Sequence, residues 1–224
     1  YSKQHTISSY VDYRWTYGKN TIGRLRLPIS QEKIIPVGNA FANKRIEEVK
    51  KASVNNNGVR NILIISDYSA SGNLDAVAIM LSEKLNSAEY KVIFKLHPGE
   101  GDWRNKYSRL RNSKVIVKGM DQKHDINYYI MQAHCVVGVS GTALVEAVNL
   151  QKPVYVYGKA DTSICSEFLY TAGYAKLVMD EQELLNCIIE EQTVCNRGSL
   201  YEQKPVDNVN RAIAKIIGKE EESL

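Results

Sequence analysis

No stretch of this 224-residue chain approaches the roughly 18 to 20 uninterrupted apolar residues that a bilayer-spanning helix needs, and no basic start leads into an apolar signal region. A membrane span and a secretory leader are therefore not expected. Charge of one sign is lacking too, with 29 Lys and Arg against 25 Asp and Glu for a net charge of +4. The basic residues are scattered among acids and form no face studded with aromatics, so a nucleic-acid groove is not expected and a small anion gains only slight support. Cysteine is scarce. Cys135, Cys165, Cys187 and Cys195 contain no Cys-x-x-Cys pair and read as free thiols of a reducing compartment. Gly-x-Gly-x-x-Gly, Gly-Lys-Ser/Thr and Asp-x-Asp are absent, and the histidines do not cluster. The chain therefore carries neither a dinucleotide fingerprint nor a P-loop, and neither a built-in metal site nor a cofactor is expected.

What is present is a rhythm. From Asn61 onward, short β-rich runs (Ile62–Ile65, Lys91–Leu96, Val115–Val117, Cys135–Val139, Val154–Tyr157, Ala175–Met179) alternate with helical stretches. The helices are expected near Leu74–Asn86, Trp103–Arg111, Ile126–Ala133, Thr142–Asn149, Ser163–Ala172, Glu181–Glu191 and Asn208–Ile217. The strands are almost continuously apolar, as parallel strands covered on both faces must be. The fold class is therefore α/β, a doubly wound parallel sheet. Residues 1–43, rich in Tyr and polar residues, lack this rhythm, and only Lys33–Asn39 reads as an edge strand and turn. The start at Tyr1 points to a piece of a longer polypeptide. The expected divisions are 1–43, a fragment of a preceding domain with its linker; 44–190, the α/β domain; and 191–224, a C-terminal helical segment.

Sheets of this kind take ligands outside the carboxyl ends of their strands, so the loops after the strands are where function is expected. The first, Ser66–Asn73, carries Ser69, Ser71 and Gly72, small residues that let a phosphate approach the amides of a helix start. A plain helix cap explains the same residues. The second is Lys95-Leu-His-Pro-Gly-Glu100. Pro98 ends the ladder and biases His97 to extended backbone, presenting its imidazole at the strand end, with Gly99 and Glu100 beside it. In the third, Ser140-Gly-Thr142 opens a helix: Gly141 permits close approach, Ser140 and Thr142 offer hydroxyls, and Glu146 could accept the paired hydroxyls of a ribose. Thr142 stands where a Gly-x-Ser-x-Gly elbow needs glycine, so a serine nucleophile is not expected. Asp161–Ser163, after the fifth strand, reads equally as part of the pocket and as a plain helix cap, whereas His124, Asp125 and His134 read as a solvated imidazole, a cap and a packing residue.

Val37-Gly-Asn39, His97-Pro98, Ser140-Gly-Thr-Ala-Leu-Val-Glu-Ala147 and Lys152-Pro-Val-Tyr-Val156, in this order, resemble the C-terminal, donor-binding half of GT-B glycosyltransferases. The likeness is greatest to bacterial capsule, sialyl and Kdo transferases. Hydrolysing UDP-N-acetylglucosamine 2-epimerases share the layout. Gln4-His5-Thr-Ile-Ser8 is similar to the Gln-His-Gly segment of some capsule-type transferases, with Thr6 in place of glycine.

The resemblance implies a Rossmann-like half of a GT-B fold that binds a nucleotide-activated sugar as substrate, without metal or cofactor, for transfer to a bacterial surface polysaccharide. It implies His97 as the catalytic group, with Pro98, Ser140, Gly141, Thr142 and Glu146 around the nucleotide and phosphate. Implied partners are a glycan acceptor and an N-terminal domain, in cis or on a partner chain, without which the fragment is inactive. The implied setting is cytoplasmic, with peripheral association of the full protein at the inner membrane face as an option. Two alternatives stay open: an epimerase-like isomerase and a non-catalytic α/β interaction module.

Overall fold

Strand and helix alternate along most of the chain. The computed structural model describes residues 12–19, 29–51, 58–68, 73–119, 124–158, 164–192 and 199–218. Among them the strands are β1 Arg14–Thr16, β2 Ile34–Pro36, β3 Arg60–Ile65, β4 Tyr90–Lys95, β5 Ile116–Lys118, β6 Ala133–Gly138, β7 Val154–Tyr157 and β8 Lys176–Val178. The helices are α1 Ala40–Lys51, α2 Leu74–Lys84, α3 Trp103–Lys106, α4 Ile126–Gln132, α5 Thr142–Asn149, α6 Ile164–Thr171, α7 Glu181–Ile189 and α8 Pro205–Ile216. They fall into two units, one of Tyr1–Arg45 with Ser199–Leu224 and one of Ile46–Gly198.

The larger unit holds a six-stranded sheet in the order β5-β4-β3-β6-β7-β8, every pair parallel. This is the doubly wound order, in which the chain moves outward from β3 through β4 and β5 and then crosses to β6 on the other side. The order reverses between β3 and β6, which is the switch point of the sheet.

Alternation of side chains explains why the strands are apolar throughout. Ile62 and Ile64 join Val92, Phe94, Cys135, Val137, Tyr155 and Tyr157 in one buried cluster with Val77 and Leu81 of α2 and Leu184 and Ile188 of α7. Leu63, Val136, Val154 and Val156, pointing the other way, are buried as well. On that second face Leu144 of α5 sits over Gly138, with Ile130, Ala147 and Val148 also buried. Two helix starts are capped as their sequences dictate: Asp125 accepts from the Tyr128 amide at 3.1 Å and Asp180 from the Glu183 amide at 2.8 Å.

The smaller unit joins the two ends of the chain. β1 pairs with β2 in parallel, the Glu202 amide donates to the Tyr17 carbonyl at 2.8 Å, and Asn208 Nδ2 donates to the Val37 carbonyl at 3.2 Å. Trp15, Tyr17, Phe41, Val206, Ile213 and Ile217 are all exposed here.

Three features differ from the sequence expectation. The helix expected over Trp103–Arg111 stops at Lys106 and continues as a 3-10 turn, Ser108–Asn112. Tyr107 leaves helical geometry at φ −119°, ψ 49°, with its hydroxyl on Glu100 and its ring edge-on to Phe94 at 5.0 Å. Tertiary bonding there outweighs helix propensity. The strand β1 and the helix α1 answer to no expected element: β1 has three residues, and α1 is polar, begun by Asn39 Oδ1 accepting from the Ala42 amide at 3.0 Å. Cys135 and Cys187 are buried free thiols; Cys195 and the tail 219–224 lie outside the described residues.

Candidate functional site at the switch point

The carboxyl ends of β4, β3 and β6 are neighbours, and their exit loops carry His97, Ser66 with Asp67, and Ser140. Beyond the last ladder residue of β4, the His97 amide finds two acceptors, Ser66 Oγ at 2.7 Å and Glu100 Oε2 at 2.9 Å. Ser66 in turn donates its hydroxyl to Glu100 Oε2. The turn closes with the Glu100 amide on the His97 carbonyl at 3.0 Å and the Gly99 amide on His97 Nδ1 at 3.1 Å. Gly99 sits close under both rings: a β-carbon there would lie 3.3 Å from Nδ1 and 3.4 Å from the Tyr68 ring. Tyr68 is exposed, its ring centroid 5.9 Å from that of His97.

On the other side of the crevice, Ser140 donates its hydroxyl to Asp67 Oδ2. Gly141 then takes φ 110°, ψ 162° and faces open space, a conformation confined to glycine. Thr142 begins α5, whose first amides point outward, and Gly141 and Thr142 are exposed. Glu146 lies one turn on, half-buried, with Oε2 shielded from solvent. His97, Pro98 and Gly99 are exposed.

The fold thus brings His97, Pro98, Gly99, Ser140, Gly141 and Thr142 to one rim, and it directs Glu100 inward. The Glu100 side chain is 1% exposed, its Oε1 taking Lys106 Nζ and Tyr107 Oη, both at 2.6 Å. Burial works to raise its pKa, but the donors Lys106, Ser66, Tyr107 and the His97 amide outweigh it and hold the carboxyl below its ordinary value. Tyr107 is pushed up to about 12 by burial and then by the Glu100 bond.

Ser69, Ser71 and Gly72 lie outside the described residues, as do Gln4, His5 and Asp161–Ser163. Sequence reasoning missed Ser66 and Asp67 as the bridge between the two halves of the rim. Their signal was position, the first two residues after β3, and it has meaning only once β3 is known to stand between β4 and β6.

His124 stacks on Tyr128 at 3.8 Å, away from the crevice loops in sequence. No group of three or more His, Cys, Asp or Glu among the described residues could hold a metal ion, and no described helix is long and apolar enough to cross a membrane. A cavity of about 460 Å³ opens at the amino ends of β3, β6 and β7, with Arg60, His134, Lys152 and Glu191 in its wall. Its cations already have partners: Arg60 bonds Tyr90 Oη at 2.8 Å and Glu191 at 2.9 Å, and Lys152 bonds the Met131 and Ala133 carbonyls at 2.8 and 2.9 Å. The exit loops are therefore the stronger candidate.

No family model matches the chain, and no curated protein matches it. Solved structures do match. A UDP-N-acetylglucosamine 2-epimerase from Listeria monocytogenes, described as putative in function, aligns with a TM-score of 0.71 at 14% identity, covering 97% of this chain and 62% of that one. The chain has the fold of a Rossmann-like GT-B half. The UDP-GlcNAc 2-epimerase of Methanocaldococcus jannaschii, solved with UDP-GlcNAc and UDP, aligns at 0.64 with 17% identity, over 91% of this chain and 61% of that one. The wall teichoic acid polymerase TagF aligns at 0.58 with 12% identity, over 99% of this chain and 62% of that one. The chain spans about six-tenths of the length of these proteins.

Proposed function

We propose that the Ile46–Gly198 unit binds a nucleotide-activated sugar across the β3/β6 crevice, and that the whole polypeptide transfers the sugar to a bacterial surface polysaccharide. The observation that carries this reading is the bridging of His97 and Ser140 through Ser66 and Asp67 at the switch point. A diphosphate there would lie on the α5 amino end, over Gly141, with the hydroxyls of Ser140 and Thr142 as donors. His97 would stabilise the charge developing on the departing phosphate, with Pro98 and Gly99 shaping the turn and Glu146 within the same helix for the ribose. Ser69, Ser71 and Gly72, which follow β3 in the sequence, belong to the same proposal as donor-binding residues. The acceptor and the general base would come from an N-terminal domain facing this rim, so the 224-residue chain should bind nucleotide without turnover.

Isomerisation of UDP-GlcNAc is a second reading, favoured by the likeness to structures described as UDP-GlcNAc 2-epimerases. Transfer is kept as the first reading on the resemblance of His97-Pro98 and Ser140-Gly-Thr-Ala-Leu-Val-Glu-Ala147 to the capsule-type transferases.

Calorimetric titration with CMP, CDP, UDP and GDP tests the shared part. One of them should bind, and His97→Ala and Thr142→Val should each weaken it strongly; binding of none would end the proposal. A longer polypeptide that includes the facing domain, assayed for sugar transfer and for interconversion of free UDP-GlcNAc, separates the two reactions.

A further inference from the structure

A fully bonded carboxylate at the rim does not face it. Both oxygens of the Glu100 carboxylate are used, Oε1 by Lys106 and Tyr107 and Oε2 by Ser66 and the His97 amide. Four donors are about what two carboxylate oxygens can accept. Lys106 is itself held over Tyr107 at 5.1 Å and Tyr68 at 5.8 Å, and its Nζ also donates to the Asp67 carbonyl at 3.3 Å. The carboxylate therefore ties the turn that carries His97 to the exit loop of β3 and to the Phe94–Tyr107 core contact.

The consequence reaches the imidazole. Because the turn is closed, the Gly99 amide donates to His97 Nδ1, so Nδ1 is the acceptor and the proton of the neutral ring sits on Nε2. We propose that Glu100 is the positioning residue of this rim: its carboxylate, anchored by Lys106 and Tyr107, holds the 97–100 turn so that His97 accepts at Nδ1 and presents Nε2–H as a donor to a nucleoside diphosphate. The ligand part rests on the reading under Proposed function; the tautomer part does not. Glutamine at 100 has one acceptor oxygen and an amide that donates, so it can serve only one of the two donor pairs.

Two measurements on the 224-residue chain test this. Imidazole nitrogen NMR of uniformly labelled protein, with His97 assigned by its loss in His97→Gln, should show a single Nε2–H tautomer in the parent and a mixture in Glu100→Gln. UDP and CDP titration should show Glu100→Gln about tenfold weaker for whichever nucleotide binds, and Glu100→Gln with His97→Ala no weaker than His97→Ala alone. A tautomer unchanged in Glu100→Gln, or losses that add in the double variant, overturns the role. If Glu100→Gln does not fold, Lys106→Met, at a side chain 38% exposed, removes one anchor and is judged by the same spectrum. If the parent binds neither UDP nor CDP, the reading under Proposed function fails while the imidazole spectrum still decides the role of Glu100.

Discussion

Ser140, at the exit of β6, donates its hydroxyl to the carboxylate of Asp67, at the exit of β3. A phosphate seated on the α5 amino end must take that hydroxyl from a carboxylate and lie beside its charge. Asp67 thus acts against anion binding at the place where helix dipole and hydroxyls favour it.

Removing that charge while keeping the shape should strengthen the site. Asp67→Asn is expected to raise affinity for the nucleoside diphosphate by about fivefold, from roughly 1 kcal/mol of relieved repulsion in a wet crevice. Calorimetry at two salt concentrations checks it, because the gain should shrink as salt rises. Unchanged or weaker binding would mean that Asp67 orients Ser140 more than it repels.

Gly141 is expected to be intolerant of any side chain. A β-carbon there meets no heavy atom within 4 Å, so the cost comes from the backbone at φ 110° and should be about 1–3 kcal/mol for Gly141→Ala. Thermal unfolding should show the loss, and nucleotide affinity should fall with it as the turn moves.

Glu100 should govern acid stability. Its folded pKa lies below the ordinary 4.5, so its contribution is complete above the unfolded value and is lost as pH falls through the lower folded value. Urea unfolding of the parent and of Glu100→Gln should differ by about 1–3 kcal/mol near neutrality. The gap should stay level down to about pH 4.5 and close below it. A gap that widened in acid would reverse the assigned sign.

Phe94 should be the costliest of the aromatic core positions. It is fully buried and meets Tyr107 edge-on, so Phe94→Ala is expected to cost about 3–5 kcal/mol. Because Tyr107 anchors Glu100, the same variant should loosen the His97 turn, measured as faster amide exchange at Gly99 and Glu100.

The six strands of the main sheet were legible because both their faces are covered, which makes apolar runs continuous and easy to see. His97 and Ser140 were legible as strand-end residues beside Pro98 and Gly141. The direction of Glu100 was not, since a carboxylate after His-Pro-Gly turns outward or inward according to whether Lys106 and Tyr107 wait beneath it. The early stop of α3 follows from the contacts of Tyr107 with Glu100 and Phe94. The joining of Tyr1–Arg45 with Ser199–Leu224 rests on bonds such as Tyr17 to Glu202, which leave no trace in local periodicity.

Sequence alone determined the class of sheet and the end of it where polar, glycine-bearing loops collect, because strand period and turn chemistry are set by neighbours in the chain. Only the tertiary structure decided that β3 stands between β4 and β6, so that Ser66 and Asp67 link His97 to Ser140. Strand adjacency is chosen by crossovers and by the burial of whole faces, and that is a property of the assembled sheet.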